Sequence, residues 1–298
     1  MAEEPAMTGS WKLSHGEEIV PGLTAIRLLG GGRAYEAYLG WDERLFAPVV
    51  VKVVRPDQVD DPDTLRGLER ETDMVGRLNH PVIVRGFRAV LDGPRPHLVL
   101  ENLDGPRLST LVRKYGRLPL QQLLPLGLEM CSALHYLRST GVVHLDVKPS
   151  NIIMGSPPRL IDLSIARPVE AAERLTHVIG TDAYMPPEQA DPQRTGVPGF
   201  ASDIWGLGAS LYEAAAGYRP FDDGARDDDA PLAERFPQLA SGPYELPQDF
   251  PEQVTKPIYA CLEYSPSNRP TPAELAGVLE PLVDALPKPK IGGFKPKL

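Results

Sequence analysis

Eight consecutive residues, His144-Leu145-Asp146-Val147-Lys148-Pro149-Ser150-Asn151, concentrate most of the chemistry of this chain. A lysine follows Asp146 two places on and an asparagine five places on. An aspartate can orient an attacking hydroxyl and accept its proton, a lysine can neutralise a phosphoryl group in transfer, and an amide oxygen can hold Mg²⁺. The combination suits phosphoryl transfer. Sixteen residues after Asp146, the strand-like run Arg159-Leu160-Ile161 ends in Asp162-Leu163-Ser164, which supplies a second carboxylate. Upstream, Val49-Val50-Val51-Lys52-Val53-Val54 sets one lysine in a short β-branched strand. Before it, Leu29-Gly30-Gly31-Gly32-Arg33-Ala34-Tyr35-Glu36-Ala37-Tyr38 is glycine-rich, and glycines let backbone amides approach phosphate oxygens closely.

Ordered elements must bring these segments together. Between Asp63 and Leu78 the apolar residues Leu65, Leu68, Val75 and Leu78 recur at helical spacing, with Asp63 or Thr64 available as the N-terminal cap. Glu69 and Glu71 lie on that helix. Leu98-Val99-Leu100-Glu101-Asn102-Leu103-Asp104-Gly105 passes from an apolar strand into turn residues. Further on, Met130, Leu134 and Leu137 mark one helix face, and Ile204, Leu207, Leu211 and Ala214 mark another that stops at Gly217. Internal repeats are absent. The chain divides into a leader (1–21), a strand-rich lobe (about 22–100), a linker (about 101–105), a helix-rich lobe (about 106–286) and a basic Pro/Lys tail (287–298) that includes Lys288, Lys290, Lys295 and Lys297.

At 298 residues and 42% hydrophobic content the chain can bury sizeable cores. A formal net charge of −9 argues against a nucleic-acid binder or an anionic-membrane binder. Cys131 and Cys261 fall in separate helix-like stretches, which points to buried thiols in a reducing cytosol rather than a disulfide framework or a zinc site. No stretch approaches the roughly 18 apolar residues of a membrane span. Met1-Ala2-Glu3-Glu4 is unlike a signal peptide, so a soluble, cytoplasmic protein is expected.

In order and spacing these segments resemble the eukaryotic-like (Hanks-type) serine/threonine protein kinases, particularly their bacterial branch, from about Leu23 to about Leu286. Gly180-Thr181-Asp182-Ala183-Tyr184-Met185-Pro186-Pro187-Glu188 is similar to the segment that closes the family's activation loop, Asp203-Ile204-Trp205-Gly206 to the start of its long C-lobe helix, and Asn268-Arg269-Pro270 to the stretch whose arginine pairs with Glu188. The resemblance implies an α+β, bilobal fold with an antiparallel-sheet N-lobe carrying one helix and a mostly helical C-lobe. It implies ATP and Mg²⁺ (with Mn²⁺ as an alternative) as cofactors and a protein substrate that the sequence does not identify. It places Asp146 and Lys148 in catalysis and Asn151 and Asp162 on the metal. Lys52, paired with Glu71, would hold the α- and β-phosphates. Leu29, Gly30, Gly31, Gly32, Ala37, Val50 and Ile153 would surround the nucleotide, backbone groups at Glu101 and Leu103 would meet the adenine, and Leu100 would be the gatekeeper. Thr181 would brace Asp146 and Lys148. Many relatives carry a membrane span and a sensor after the kinase domain. With this chain ending at Leu298, regulation is expected to come from elsewhere.

Departures from the family pattern set further expectations. Leu145 replaces the arginine that receives a phosphorylated activation-loop residue, so switching at a site such as Thr176 lacks its main acceptor. Tyr35 stands where the third glycine belongs and is expected to restrict the phosphate-covering loop. Ala37 is smaller than the usual valine and Val50 larger than the usual alanine, a volume-conserving exchange that should leave room for the base. Leu163 and Ser164 replace Phe and Gly, which should make the activation segment flip out less readily. Three readings follow: an active Ser/Thr kinase, a nucleotide-binding pseudokinase acting as a scaffold, and a small-molecule phosphotransferase.

Overall fold

Strict alternation builds the first lobe. Val49, Val51 and Val53 are fully buried while Val50 and Lys52 face the opposite side of the strand, as the period of two requires. The structure, a computed structural model, describes residues 9–287 apart from 193 and 228, so the lysines of the basic tail lie outside the described residues. Among these residues β1 (Glu18–Val20), β2 (Leu23–Gly31), β3 (Tyr35–Asp42), β4 (Ala47–Val54), β5 (Gly86–Val90) and β6 (His97–Glu101) form one antiparallel sheet in the order β1-β2-β3-β4-β6-β5. The β3/β4 register sets Ala37 opposite Lys52 and Leu39 opposite Val50. Tyr35, Ala37, Val50 and Lys52 therefore share one face.

The other face carries its own small core of Ile19, Leu23, Ala25, Tyr38, the three valines and Val99, closed by Trp11, Leu13 and Val20. Trp11 donates its indole N–H to Val54 O at 2.8 Å, and the Arg95 guanidinium stacks 4.5 Å from its ring. Beneath them Arg55 and Glu36, both buried, pair at 3.2 Å. Residues before 22 thus pack on the N-lobe sheet, because an apolar outer face needs the preceding segment to cover it.

Helix α1 (Pro62–Arg77) turns Leu68, Met74 and Val75 into the main core. Its cap is Asp61, whose carboxylate accepts the Thr64 N–H at 2.8 Å, rather than Asp63 or Thr64. Pro62 takes the first helical position, where a missing N–H does no harm, and this puts the cap at Asp61, two residues before Asp63.

The main core continues through the linker into the C-lobe. There the chain forms α2 (Leu108–Tyr115), α3 (Leu120–Ser139), α4 (Val169–Ala172), α5 (Pro187–Ala190), α6 (Phe200–Ala216), α7 (Leu232–Arg235), α8 (Glu252–Cys261) and α9 (Pro272–Asp284). Short strands β7 (Val142–Val143), β8 (Ile152–Ile153), β9 (Arg159–Leu160) and β10 (Arg167–Pro168) pair as β8–β9 and β7–β10. Helix α6 is buried almost all round, as an apolar helix at the centre of a lobe must be. It ends at Gly217, whose φ of 84° is the left-handed cap glycine favours. A side chain at Gly206 would meet Val147 O at 2.6 Å, so this glycine lets α6 lie directly against the 144–151 segment. Cys131 and Cys261 are buried and free, and burial pushes the Cys131 thiol up to about 12, which leaves it unreactive. No helix among the described residues is long and apolar enough to cross a membrane.

Glu188 of α5 and Arg269 form a fully buried, two-pronged ion pair at 2.6 and 2.8 Å. Ser202 donates to the same carboxylate, Arg269 also reaches Ala201 O and Tyr264 O, and the guanidinium lies 4.9 Å from the Trp205 ring. Removing one member of such a pair strands the other. Arg269→Ala is expected to lower stability in urea unfolding by about 3–5 kcal/mol.

Candidate active site

Between β7 and β8 the chain makes a strained turn. Leu145 has φ 64°, an outlier for a bulky residue. Asp203 of α6 holds it there: one carboxylate oxygen accepts the His144 N–H at 2.8 Å and the other the Leu145 N–H at 2.7 Å. Gln189 donates to Leu145 O at 3.0 Å. The turn presents Asp146 beside Lys148 and Thr181. Lys148 Nζ lies 2.7 Å from Asp146 Oδ2 and donates to Thr181 Oγ1 at 2.5 Å, while Thr181 Oγ1 donates to Asp146 Oδ1 at 2.7 Å. Asn151 Nδ2 donates to Asp146 O and Oδ2, each at 3.0 Å, which turns its amide oxygen away from that aspartate.

Lys52 provides the second charged group. Its ammonium sits 2.5 Å from Glu71 Oε2 on α1 and 3.3 Å from Asp162 Oδ1. Burial works against the charge on Lys52, but the two carboxylates outweigh it and hold the ammonium protonated above the ordinary lysine range. Burial alone would also raise Asp162. Lys52 and the neighbouring Ser164 side chain outweigh it, so Asp162 stays ionised below the ordinary aspartate range. Glu69, the other acid on the helix, is exposed.

Glycines and apolar side chains line the remaining space. Gly30 has φ 143°, and a Cβ at Gly31 would meet Tyr35 O at 2.5 Å, so hairpin geometry fixes both. Gly32 closes the hairpin by donating to Tyr35 O at 3.0 Å. Leu29 is partly exposed, and Ala37, Val50, Leu103 and Ile153 are half-buried. Leu100, opposite Val50 across β4 and β6, is buried. The Glu101 side chain is engaged by Arg85 and Arg159, and its N–H donates to Arg85 O at 2.9 Å.

The protein kinase domain family matches residues 23–278. The chain belongs to the protein kinase family. This kinase domain is 36% identical over 203 residues to the serine/threonine-protein kinase PknB of Mycobacterium leprae, covering 65% of this chain and 32% of that protein. It is 31% identical over 255 residues to PknB of Mycolicibacterium smegmatis, covering 81% and 40%. The probable serine/threonine-protein kinase PkwA of Thermomonospora curvata is 34% identical over 235 residues, covering 78% and 30%. The chain thus spans 30% to 40% of the length of these relatives.

Three features of the kinase domain were not legible in its motifs. Asp203 opens a recognisable helix, but its grip on two amides 58 and 59 residues earlier leaves no local signal. Leu145 does more than vacate an arginine position. It is buried among Val143, Ala172, Leu175, Ile179 and Phe200, so the segment after Asp162 is pinned by apolar contact. Thr176, next to Leu175, is exposed. At the Asp-Leu-Ser stretch the left-handed residue is Asp162 itself (φ 67°), a residue type that tolerates this conformation, and Leu163 is fully buried.

Leu145→Ala should therefore destabilise the domain by about 2–5 kcal/mol. Trypsin should then cut first in the segment it pins, at Arg174, before the rest of the C-lobe.

Proposed function

We propose that this chain is the catalytic domain of an ATP-dependent serine/threonine protein kinase, transferring the γ-phosphate of Mg-ATP to Ser or Thr hydroxyls of a protein. The observation that carries this reading is the closed triangle Asp146–Thr181–Lys148, held on a rigid turn and accompanied by the Lys52–Glu71 and Lys52–Asp162 pairs. The names of the similar proteins support the Ser/Thr class.

Asp146, fixed by Thr181 and Asn151, orients the acceptor hydroxyl and takes its proton. Lys148 stands beside it as a charge for the transferred phosphoryl group. Lys52, kept cationic by Glu71 and Asp162, draws the α- and β-phosphates under the glycine hairpin. The Leu103 N–H, which has no acceptor among the described residues, is available to adenine. The Asp162 carboxylate and the Asn151 amide oxygen are hard oxygen donors of the kind that fit Mg²⁺, with Mn²⁺ an alternative, and the ion would neutralise phosphate charge there. Dependence on ATP and two free buried thiols agree with work in the cytoplasm, in phosphorylation signalling.

Transfer of γ-labelled phosphate from Mg-ATP to the protein itself and to a generic basic protein tests the reading. Asp146→Asn should reduce labelling roughly 10²–10⁴-fold while sparing nucleotide binding. Asp162→Ala should also weaken Mg²⁺-dependent ATP binding. No label from wild type alongside tight Mg-ATP binding would instead identify a nucleotide-binding pseudokinase, and label entering metabolites rather than protein a small-molecule phosphotransferase.

Ala37 and Val50 are diagonal neighbours on one face of β3 and β4. Ala37→Val combined with Val50→Ala should bind ATP more tightly than either single variant, and simple additivity would refute the reciprocal exchange.

A further inference from the structure

Tyr35 occupies a hairpin position where small residues are expected, and its half-buried side chain runs to another element. The hydroxyl donates a 2.6 Å hydrogen bond to Thr64 O in the first turn of α1. The ring lies beside Lys52, whose Nζ is 4.8 Å from its centroid, a cation–π distance. Burial raises the Tyr35 pKa, which keeps the hydroxyl a donor. On α1 the facing residue is Gly67, inside a helix where glycine is unfavourable. A Cβ at Gly67 would stand 2.8 Å from Tyr35 Oη, with no other heavy atom closer than Arg70 Nη2 at 3.9 Å. A large residue on the hairpin thus meets a missing side chain on the helix, and the two fit each other. Tyr35 O also accepts the Gly32 N–H, so movement of the hairpin tip reaches the same residue.

We infer that Tyr35 is a positioning residue that fastens the glycine hairpin to α1 and, through its ring on Lys52, holds the Lys52–Glu71 pair ready for the nucleotide. The inference rests on the reading of Lys52 as the phosphate-binding lysine. With Tyr35 in place, hairpin and helix move together. Without its hydroxyl, each moves alone.

Mg-ADP affinity by calorimetry and hydrogen exchange of the amides of residues 64–72 read this out. Tyr35→Phe keeps the ring over Lys52 and removes the bond to Thr64, and it should weaken Mg-ADP binding by roughly two- to tenfold, the range of one hydrogen bond, while exchange in α1 speeds up. Gly67→Ala should weaken binding in the wild-type background, although alanine is the better helix former, because its methyl displaces the hydroxyl. Added to Tyr35→Phe, the same Gly67→Ala should leave affinity unchanged and raise Tm. Losses that merely add across this cycle, or a Tyr35→Phe protein with wild-type affinity and exchange, would overturn the inference. Lys52→Ala measured in parallel separates the two questions: unchanged Mg-ADP affinity there defeats the reading of the nucleotide site, while the exchange rates in α1 still decide the Tyr35 anchor.

Discussion

One ammonium group joins three separately built parts of this molecule. Lys52 is supplied by a sheet strand, Glu71 by a helix packed beside the sheet, and Asp162 by a turn of the other lobe. None of the three elements needs the others for its local structure. Valine alternation makes the strand, an aspartate cap and an apolar stripe make the helix, and a left-handed aspartate makes the turn. Their charges impose the mutual arrangement, because a half-buried lysine is tolerable only beside carboxylates. Displacing any one element deprives Lys52 or the buried Glu71 of a partner.

The C-lobe meets the same demand with buried polar anchors. Its central helix is apolar on nearly every side, yet it carries Asp203 at one end, aimed at two backbone amides, and Ser202 next to it, aimed at Glu188. Buried polar groups are acceptable when each finds its partner, and here the partners belong to the turn at His144 and Leu145 and to the Glu188–Arg269 pair. Gly206 completes the arrangement by removing the side chain that would hold helix and turn apart. Asp146 is thereby mounted on the most buried element of the lobe.

Much of this was legible in the sequence. The triad around Asp146, the lysine strand, the helix bearing Glu71 and the two interior C-lobe faces each carry local periodicity or fixed spacing. Contacts between distant residues were not legible. The Trp11 indole bonds a carbonyl 43 residues away, and nothing near residue 11 announces that the outer face of the sheet is apolar enough to need cover. Asp61 was not legible as a cap because Pro62, which opens the helix, stands between it and the acidic residue Asp63. Tyr35 was legible only as an oddity in a glycine hairpin. Its complement, Gly67, touches it in space but lies 32 residues on in the sequence, and looks by itself like a weak point in a helix.

The clasp around Leu145 gives the segment after Asp162 an unusual set of sensitivities. A phosphate bound by arginine is an electrostatic lock, which salt screens and a phosphatase can open. Leucine, alanine, isoleucine and phenylalanine side chains form a lock that ionic strength hardly touches and that weakens as the solution is cooled, because apolar burial loses its entropic drive at low temperature. The order of this segment is therefore coupled to the thermometer and to whatever apolar surface competes for Leu175 and Ile179.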